Sequence, residues 1–493
     1  MDDPAVVISP TFDAWWAVAL FVVDFVIRVL AVIYIPRNRR PQTAMAWLLA
    51  IFFLPYIGII LFLLVGSRKL PKRRREKQSE INKYILETTD GIEKVSQHEP
   101  WPAFLAPIVE LNRTLGAMPL VGGNSGSLYP DYEQSLAAMT HAVSQAKKYV
   151  HVEFYILSHD ATTAPFFAAL ADAVERGVIV RVLLDHIASR RSPGYKKTIK
   201  QLKKIKVIWH LMLPVQPFRG RWQRPDLRNH RKLVVIDGTL AFTGSQNMVD
   251  STYNKPGNIR RGLHWKDLMV RFEGPIVAGI NSLFVTDWYS ETNELLLREA
   301  PDVEPVFTRE PLDAQVVPSG PGFAGENNLR LFNSLLYAAV DKVIVTSPYF
   351  VPDDSMLYAI TTAAQQGLDV QLFVSEVGDQ FMVYHAQRSY YEELLRAGVR
   401  IWLYPSPTVL HAKHFTIDDE VAVIGSSNMD MRSFSLNFEI SVMVRSKEFV
   451  QDMRELEQTY REVSRELTLD EWMKRSRVSA TLDNVMRLTA AVQ

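Results

Sequence analysis

The chain carries one polar motif twice, with identical spacing in both copies. Each copy has a histidine, a lysine, an aspartate and a Gly-Ser-x-Asn run. The first copy consists of His230, Lys232, Asp237, Gly244, Ser245 and Asn247, and the second of His411, Lys413, Asp418, Gly425, Ser426 and Asn428. Every residue of the second copy follows its counterpart by 181 positions, the separation between His230 and His411. A duplication explains this regularity and predicts one site that both copies build at a pseudo-twofold interface.

The overall composition excludes several classes of function. The 493 residues include 55 Lys and Arg and 54 Asp and Glu, so bulk charge does not favour a polyanion such as nucleic acid as the partner. Because the chain has no cysteine, it has no disulfide, no thiolate nucleophile and no cysteine-bearing zinc site. The length accommodates two or three domains of ordinary size.

Two apolar runs at the N-terminus predict a transmembrane hairpin within residues 1–67. Residues 15–35 and 44–65 are mostly apolar, and about 21 residues of helix reach about 31 Å, the thickness of the hydrocarbon core. A secretory signal peptide is the alternative, but the start is acidic and no Lys or Arg precedes the first run. Asp24 and Arg28 are four residues apart, so they are expected to form an ion pair turned toward the second helix.

Basic residues flank the second apolar run and bear on its orientation. Seven Lys and Arg occur in residues 68–77, at the start of a basic linker over residues 68–100, whereas the connector between the two runs has three. By the positive-inside rule the larger group marks the cytoplasmic side, which predicts a multi-pass protein with the remaining chain in the cytoplasm. The same residues also suit anionic headgroups, at about 1 kcal/mol per basic residue near the surface.

The remaining chain predicts two α/β domains, residues 101–310 and 311–493, with the same order of elements. The first has helices at residues 132–148 and 164–176 and strands at residues 149–156, 179–185 and 207–210; the second has helices at residues 327–339 and 355–366 and strands at residues 343–350, 370–375 and 399–404. Residues 300–321 contain prolines and no clear periodicity, so they are expected to join the two domains.

Each motif is predicted to be a strand, a turn and a returning strand. The Asp-Gly pair at Asp237 is a strong hairpin signal. Because side chains alternate along a strand, His230 and Lys232 share one face, and Ser245 and Asn247 share one face of the returning strand. Asp237 lies seven residues after His230 and has the opposite parity, so it is expected to be a structural partner near the turn. The second copy follows the same pattern.

The paired side chains suit an attack on a phosphate ester. A neutral imidazole can form a phosphohistidine, and a second imidazole can serve as acid and base near neutral pH. Lysine ammonium groups supply positive charge, and Ser and Asn side chains supply hydrogen bonds for the non-bridging oxygens of the transition state. This chemistry calls for no metal and no cofactor. A single His-x-Lys strand is usually an ordinary polar strand edge, but the doubled, equally spaced pair favours the functional interpretation.

The motif pair resembles the signature of the phospholipase D superfamily, His-x-Lys-x4-Asp-x6-Gly-Ser-x-Asn, at every fixed position of both copies. The resemblance covers residues 128–446, and the surrounding segments are similar to the bacterial cardiolipin synthases of the A type. These segments are Ala46-Trp47-Leu48-Leu49, Leu54-Pro55-Tyr56-Ile57-Gly58 and Asn428-Met429-Asp430-Met431-Arg432-Ser433-Phe434. The resemblance implies an α/β fold of two fused phospholipase D-like sandwich domains with pseudo-twofold symmetry, preceded by a two-helix transmembrane hairpin.

The resemblance also implies roles for individual residues. The catalytic set of the family motif corresponds to His230, Lys232, Asp237, His411, Lys413 and Asp418. His230 is expected to be the nucleophile and His411 the acid and base, although sequence symmetry alone leaves these roles interchangeable. An acidic residue after each motif is expected to orient its histidine. Asp267 follows His230 by 37 positions and Glu439 follows His411 by 28, a difference expected to be absorbed by the loop at residues 252–262.

The implied reaction joins two phosphatidylglycerol molecules into cardiolipin and releases glycerol, in the bacterial inner membrane. Phosphatidylglycerol and anionic membrane lipid are the expected partners, nucleic acid is not, and the oligomeric state stays open. Three alternatives need the same residues: a phospholipase D-type hydrolase, a phosphatidyltransferase for another alcohol, and a nucleic-acid phosphodiesterase, which the apolar runs and the neutral charge disfavour. A membrane scaffold without activity is a fourth, but the complete pair of His, Lys, Ser and Asn argues against it.

Overall fold

The residues before position 70 form helices, as their apolar composition predicts. In the computed structural model these helices are α1 (Phe12–Tyr34), α2 (Pro41–Phe53) and α3 (Pro55–Val65). The chain divides into two units, Met1–Lys69 and Leu70–Gln493. The structure describes residues 12–37, 39, 41–66, 70–88, 101–219, 221, 223–296, 312–323 and 325–490.

The second apolar run is not the single helix that the sequence predicts. Among the described residues, Trp15–Tyr34 is the one helical stretch long and apolar enough to cross a membrane. The second run is split between α2 and α3 at Leu54, whose φ of −136° and ψ of 69° are not helical. Pro55 explains the break, because it has no N–H and its ring disfavours a helical conformation of the residue before it. One helix of spanning length is therefore followed by two shorter apolar helices.

The predicted ion pair on the first helix is confirmed. Arg28 Nε lies 3.0 Å from Asp24 Oδ2. The Arg28 guanidinium also lies 5.6 Å from the centre of the Phe52 ring on α2, a distance at which a cation is attracted to an aromatic face. The pair is thus turned toward the second helix, as the sequence pattern predicts.

The larger unit alternates helices and strands through its first half. In chain order these are α4 (Lys72–Thr88), α5 (Leu105–Gly116), β1 (Leu120–Tyr129), α6 (Tyr132–Ser144), β2 (Tyr149–Phe154), α7 (Ala164–Glu175), β3 (Ile179–Asp185), α8 (His186–Arg191), α9 (Tyr195–Lys204), β4 (Ile208–Met212), β5 (Arg228–Asn229), β6 (Lys232–Ile236), β7 (Leu240–Gly244), α10 (Pro256–Arg260), β8 (His264–Lys266), β9 (Met269–Glu273) and α11 (Ile276–Thr292). The helices and strands predicted for this half are present.

The second half of the unit follows the same alternation. Its elements are β10 (Leu312–Ser319), α12 (Asn327–Ala338), β11 (Lys342–Thr346), β12 (Phe350–Val351), α13 (Asp354–Gln365), β13 (Asp369–Ser375), α14 (Phe381–Arg388), α15 (Tyr391–Ala397), β14 (Arg400–Tyr404), β15 (Thr408–Leu410), β16 (His414–Ile417), β17 (Val421–Gly425), β18 (Met429–Asp430), α16 (Met431–Ser435), β19 (Asn437–Arg445), α17 (Lys447–Val463), β20 (Arg465–Leu467), α18 (Leu469–Met473) and α19 (Arg477–Arg487). The predicted strand at residues 343–350 is divided into β11 and β12.

Two segments predicted to be linkers belong to the folded unit. Residues 312–319 of the expected domain junction form β10, and every one of them is buried. Its first residues alternate apolar and polar, from Leu312 to Val316, but Pro311 and Pro318 are signals against a strand. Residues 72–88 of the expected basic linker form α4. Of these two linkers, residues 68–69, 89–100 and 300–311 lie outside the described residues.

Basic side chains of α4 hold this helix on α11. Arg74 donates two hydrogen bonds of 2.9 Å to the carboxylate of Glu291. The Lys77 ammonium is buried and donates to the Tyr289 carbonyl at 2.8 Å. Such bonds compensate a cation for its lost hydration. Two of the basic residues that the sequence predicts for lipid headgroups are therefore used within the protein, whereas Arg75 is exposed.

A sheet of sixteen strands passes through the larger unit. Its path is β20-β14-β13-β11-β16-β17-β19-β10-β1-β9-β7-β6-β2-β3-β4, and β5 pairs with β19 beside this path. The antiparallel pair of β1 and β10 lies in the middle. Outward from this pair, β9, β7, β6 and β2 on one side have the same order and directions as β19, β17, β16 and β11 on the other. The two motif hairpins occupy corresponding places in the sheet.

Helices cover both faces of the sheet. On one face, α11 and α17 share an apolar core with strands of both halves. On the other face, α6 and α7 pack on the strands of the first half, and α12 and α13 pack on those of the second. Burial on both faces explains why strands such as β6 and β17 are almost continuously apolar. The predicted α/β fold class is confirmed.

Candidate active site

Both motif histidines line one cavity, which has a volume of about 360 Å³. The motif asparagines, Asn247 and Asn428, line it as well, and the motif lysines and serines are buried. The structure thus brings the two motif copies together at one place. Over the described residues, no group of three or more His, Cys, Asp or Glu is placed to hold a metal ion.

Short parallel strand pairs between the halves bring each histidine to its carboxylate. β5 pairs with the start of β19, and β15 pairs with β8. The backbone N–H of His230 donates to the Phe438 carbonyl at 2.9 Å, and that of His411 donates to the Lys266 carbonyl at 2.7 Å. In this register the residue after each accepting carbonyl is acidic: Glu439 follows Phe438, and Asp267 follows Lys266. Each carboxylate therefore lies beside the imidazole whose backbone is paired there.

Each histidine therefore bonds to the carboxylate of the other half. Nδ1 of His230 lies 3.0 Å from Glu439 Oε2, and Nδ1 of His411 lies 2.6 Å from Asp267 Oδ1. The predicted pairs, Asp267 with His230 and Glu439 with His411, are wrong. Positions along the chain favour partners within one half, whereas the strand pairing between the halves decides which side chains meet.

The serine of each motif supports the carboxylate of its own half. Ser245 donates to Asp267 Oδ1 at 2.7 Å, and Ser426 donates to Glu439 Oε2 at 2.5 Å. Both hydroxyls also accept a backbone N–H from the neighbouring strand, at 2.9 and 3.0 Å. The serines are therefore engaged with protein groups behind the cavity, in place of the expected direct contact with phosphate oxygens. Asn247 and Asn428 keep places at the cavity wall.

The glycine before each serine permits the close approach that these bonds require. A Cβ atom at Gly244 would lie 2.2 Å from the carbonyl oxygen of Leu268, and one at Gly425 would lie 2.1 Å from that of Ile440. No side chain tolerates such distances. The Gly-Ser pair of each motif thus joins two strands: the glycine admits the neighbouring backbone and the serine bonds to it.

The motif lysines lie beside the imidazoles. Lys232 Nζ donates to the His230 carbonyl at 2.5 Å, and Lys413 Nζ donates to the His411 carbonyl at 2.7 Å. Lys413 Nζ also lies 3.1 Å from His411 Nε2. Burial lowers the pKa of Lys232 well below its usual range and the pKa of Lys413 to about 8, because a buried ammonium loses hydration. A bound anion such as a phosphodiester favours the charged form of both ammonium groups, so the lysines can supply positive charge when such a group is present.

The environment favours neutral imidazoles in which Nε2 carries no proton. Burial, with help from Lys232, lowers the pKa of His230 well below its usual value. Burial also lowers the pKa of His411, and Lys413 acts in the same direction. A neutral ring that donates Nδ1–H to a carboxylate has its lone pair on Nε2. Each histidine can therefore present an unprotonated Nε2, as nucleophilic attack requires.

The two carboxylates differ in their electrostatics. Burial raises the pKa of Glu439 to about 7, although Lys232 opposes this shift. Burial also acts to raise the pKa of Asp267, but the nearby His411 outweighs it, and the pKa of Asp267 is lowered. Asp267 is thus an ionised partner at neutral pH, whereas Glu439 takes up a proton there. The two halves of the site are alike in geometry and unlike in charge.

The motif aspartates lie at the hairpin turns. Asp237 and Asp418 have φ values of 52° and 49°, in the left-handed region that Asp tolerates. Asp237 accepts the N–H groups of Lys148 and Tyr149 at 2.7 and 2.9 Å, and Asp418 accepts two N–H groups before β11 at 2.9 Å each. Five residues of strand, about 17 Å, separate Asp237 from the motif lysine. This is the structural role that strand parity predicts, and it does not include contact with the cavity.

Two tyrosines of the cavity are not predicted by the sequence. Tyr155 packs edge-on against His230 with ring centres 4.8 Å apart, and Tyr349 packs edge-on against His411 at 6.3 Å. Tyr155 precedes His230 by 75 residues, and Tyr349 precedes His411 by 62. The two tyrosines therefore do not share the constant separation that relates the two motif copies. Both follow closely on equivalent strands, β2 and β11. An aromatic residue just after each of these strands is the signal that could have identified them.

The sequence matches a known family along most of the larger unit. Residues 139–260 and 332–459 match the family described as cardiolipin synthase, PLD-like domain, and each stretch contains one motif copy. Residues 26–67 match the phospholipase D-nuclease N-terminal family. The chain belongs to the cardiolipin synthase family. As a member of this family it is an enzyme, a phosphatidyltransferase, and the resemblance inferred from the motifs is confirmed.

Relatives of the same family match almost the whole chain. Cardiolipin synthase A of Proteus mirabilis (strain HI4320) is 34% identical over 484 residues, which cover 96% of this chain and 96% of the relative. Cardiolipin synthase A of Yersinia pseudotuberculosis serotype O:1b (strain IP 31758) is 35% identical over 448 residues, which cover 89% and 90%. Among solved structures, phosphatidylserine synthase of Haemophilus influenzae Rd KW20 has a TM-score of 0.59 at 14% identity. It covers 78% of this chain and 98% of its own, and it shares the fold.

Replacing Asp237 in this cardiolipin synthase family member is expected to affect stability and not chemistry. Asp237→Ala removes the acceptor of the N–H groups before β2 and places Ala in a left-handed conformation, at a cost of about 1–3 kcal/mol. Thermal unfolding in detergent measures this loss. The rate of lipid product formation per folded molecule, measured well below the melting temperature, should stay unchanged.

The matched variant is Asp237→Asn, which keeps one side-chain oxygen and tolerates the left-handed conformation. It should lose less stability than Asp237→Ala. A variant that melts like the wild type but turns over substrate much more slowly would instead give Asp237 a part in the reaction.

Glu439→Gln is expected to change how stability depends on pH. The folded-state pKa of Glu439 is about 7 and its ordinary value is 4.5, so the folded state binds this proton more tightly than the unfolded state does. The stabilisation of the folded state by this bound proton is fully present below about pH 4.5 and is lost as the pH rises through 7. Relative to the neutral variant, the wild type should lose about 1–3 kcal/mol between pH 5 and 8. Melting temperatures of both proteins across this range measure the difference.

A suitable control is Glu448→Gln, which alters an exposed glutamate on α17. Its stability relative to the wild type should not vary over the same pH range. If the difference between wild type and Glu439→Gln were also constant, the raised pKa of Glu439 would be refuted.

Proposed function

We propose that this phosphatidyltransferase joins two phosphatidylglycerol molecules into cardiolipin and releases glycerol, through a phosphohistidine intermediate. The observation that carries the proposal is the pair of imidazoles at one cavity, each bonded through Nδ1 to a carboxylate of the other half. Because Nδ1 of each ring is used by a carboxylate, Nε2 is the reacting nitrogen, for attack in one ring and for proton transfer in the other. Nε2 of His411 exchanges this proton beside Lys413 Nζ, which lies 3.1 Å away. The name cardiolipin synthase A, which both relatives described above carry, supports the choice of product.

The first step transfers the phosphatidyl group to the enzyme. Nε2 of His230 attacks the phosphorus of one phosphatidylglycerol, and a P–N bond forms as the P–O bond to the glycerol headgroup breaks. His411, protonated on Nε2 in the substrate complex, gives this proton to the departing glycerol oxygen. Protonation matters because an alkoxide is a poor leaving group near neutral pH.

The second step transfers the group to the acceptor. A headgroup hydroxyl of the second phosphatidylglycerol attacks the same phosphorus, and His411 Nε2 takes its proton. A new P–O bond forms, the P–N bond to His230 breaks, and cardiolipin is released. Water at the same position would give phosphatidic acid, so the identity of the attacking hydroxyl separates a synthase from a hydrolase.

The electrostatics support His230 as the nucleophile and His411 as the acid and base. Burial and Lys232 lower the pKa of His230 well below its usual value, so this ring is neutral. Burial also lowers the pKa of His411, but Asp267 at 2.6 Å is ionised and counteracts the shift. An ionised carboxylate stabilises an imidazolium, which a proton carrier must become during each cycle.

The lysines and asparagines stabilise the transition state in this proposal. Lys232 and Lys413 place positive charge beside the reacting imidazoles, where low local polarity strengthens the attraction to a phosphorane. The asparagines at the cavity wall are positioned to bond non-bridging oxygens. The Asn428 side-chain oxygen is buried without a hydrogen-bond partner; as an acceptor it suits a hydroxyl donor of the substrate, while the amide N–H groups are the donors for phosphate oxygens.

The proposal includes the symmetry and the domain division of the larger unit. The halves at residues 101–310 and 311–493 are related by a pseudo-twofold axis that passes near the β1–β10 pair. The equal order and direction of strands on both sides of this pair support the axis. The matched bonds of the two Gly-Ser pairs support it as well.

The proposal also places the enzyme in the bacterial inner membrane as a multi-pass protein, with the catalytic unit in the cytoplasm. The spanning length of α1 supports the anchor, and α2 with α3 would form the second crossing. The seven basic residues among residues 68–77 support the cytoplasmic side. The enzyme is expected to lie among anionic lipids, which include its substrate.

Purified enzyme supplied with phosphatidylglycerol that carries label in its phosphate should produce cardiolipin and one glycerol per cardiolipin. Replacing either histidine by alanine is expected to lower this rate by about 10³-fold or more, because a nucleophile or its proton carrier is lost. Lipid separation and glycerol measurement quantify both products. Phosphatidic acid without cardiolipin would show a hydrolase in place of a synthase.

The division of roles can be tested with a phosphatidyl ester of p-nitrophenol, whose leaving group needs no protonation. In His411→Ala the first step should proceed and the second should stall, because nothing removes the proton of the acceptor. A burst of one nitrophenolate per active site is expected, together with a phosphatidyl adduct on the peptide that contains His230. Mass spectrometry identifies the modified peptide.

The reciprocal variant, His230→Ala, should give neither burst nor adduct. An adduct on His411 in that variant would exchange the two roles. Asp237→Asn provides the control for correct folding, since it leaves both histidines in place.

A further inference from the structure

The two ends of the cavity differ in charge, although the catalytic residues are paired. Near His230, Arg191 and Arg432 line the wall, and both act electrostatically on Tyr155, the ring packed against His230. Asp379 lines the wall near His411. It accepts a hydrogen bond from the hydroxyl group of Tyr349, whose ring packs against His411. The cavity is therefore cationic at one end and has a carboxylate at the other.

The arginine end suits a phosphate. Arg191 is exposed at the end of α8, and Arg432 is half-buried and donates to the Asp226 carbonyl at 2.6 Å. Guanidinium groups bind phosphate oxygens with fixed geometry. Asp430 also lines this end, but its Oδ1 accepts the Ser433 N–H at 2.7 Å at the start of α16. Burial raises the pKa of Asp430 to about 6, so this carboxylate is mostly ionised at pH 7, but Arg432 acts on it electrostatically and Arg191 adds a second cation to this end.

The carboxylate end does not suit a phosphate. Tyr349 donates to Asp379 at 2.9 Å, and Gln380 donates to the Tyr349 hydroxyl at 2.9 Å. These bonds hold Asp379 in place and leave most of the acceptor sites of its carboxylate for other donors. Lys255 lines this end too, but its side chain is exposed, with Nζ 5.9 Å from the centre of the Tyr253 ring. A fixed carboxylate repels an anion and binds a neutral group with hydroxyl donors.

We infer that Asp379 binds the free hydroxyl of a glycerol headgroup and thereby selects a vicinal diol over water and simple alcohols as the acceptor. The inference rests on the proposed function, since it concerns the second step of that reaction. One hydroxyl oxygen of the diol attacks phosphorus while His411 Nε2 takes its proton and the P–N bond breaks. The neighbouring hydroxyl donates to Asp379 at the same time. A diol thus gains a hydrogen bond to a charged acceptor that water and monohydric alcohols lack.

Competition between soluble acceptors tests this assignment in the full-length enzyme in detergent micelles. Phosphatidylglycerol is the donor, and deuterated glycerol, 1-propanol and 2-aminoethanol are present together at equal concentration. Mass spectrometry measures deuterated phosphatidylglycerol, phosphatidylpropanol, phosphatidylethanolamine and phosphatidic acid. The wild type should favour glycerol over propanol by about 10-fold or more, the effect of one charge-assisted hydrogen bond.

In Asp379→Ala the preference for glycerol over propanol should fall by about 10-fold, while the rate of phosphatidylpropanol formation stays within about twofold of the wild type. Asp379→Asn keeps one acceptor oxygen, so its preference for glycerol over propanol should lie between those of the wild type and Asp379→Ala. The matched control is Asp369→Ala, which removes a half-buried carboxylate 3.7 Å from Arg400 on the outer strand β14. Its product ratios should equal those of the wild type, and melting temperatures verify that every variant is folded.

Two results would overturn the assignment while leaving the transferase intact. A parallel loss of the glycerol and propanol products in Asp379→Ala and Asp379→Asn would mean that Asp379 only supports Tyr349. A larger loss of the 2-aminoethanol product than of the glycerol product would mean that the carboxylate binds an ammonium group. A wild type that forms only phosphatidic acid would refute the proposed function itself, and the acceptor site with it.

Discussion

The active site depends on two short parallel strand contacts between the halves of the larger unit. These contacts, β5 with β19 and β15 with β8, fix each imidazole against a carboxylate that belongs to the other half. A shift of one residue in either register would turn the acidic side chain to the opposite side of its strand. A buried imidazole and a buried carboxylate would then lack their partners, at a cost of several kcal/mol. The glycine and serine of each motif help to fix this arrangement, because they hold the motif hairpin against the strand segment that carries the carboxylate.

Burial determines what the paired groups can do. It lowers the pKa of the histidines and lysines and raises the pKa of Glu439, so the site holds fewer charges than the same residues would carry in water. A neutral imidazole is the form that attacks phosphorus, and a buried ammonium attracts a phosphate strongly because little water screens it. The ionised Asp267 beside His411 is the exception, and it breaks the equivalence of two otherwise matching sites. In the proposed mechanism this difference assigns attack to His230 and proton transfer to His411.

Local patterns in the sequence predict much of this structure, and contacts between distant segments account for the rest. The strand at residues 179–185 and the hairpin turns at Asp237 and Asp418 follow from periodicity and turn chemistry, which involve neighbouring residues. The partner of His230 lies 209 positions away, and no local pattern specifies it. β10 is not predicted because the prolines before and within it argue against a strand, although its first residues alternate. The break at Leu54 arises from the proline that follows it. The cavity tyrosines lie outside the constant offset because the loops before the two motifs differ in length.

The crossed pairing also governs when the enzyme becomes competent during its synthesis. His230 leaves the ribosome long before Glu439, and at about 5–20 residues per second the interval is about 10–40 s. During most of that time the first half contains His230 but has neither the carboxylate that bonds to this histidine nor the second motif imidazole, His411. A nascent or truncated chain that ends before residue 439 therefore lacks the carboxylate that bonds to His230. The paired site is complete only when nearly the whole chain has been made, so under the proposed mechanism a partly made chain is inactive.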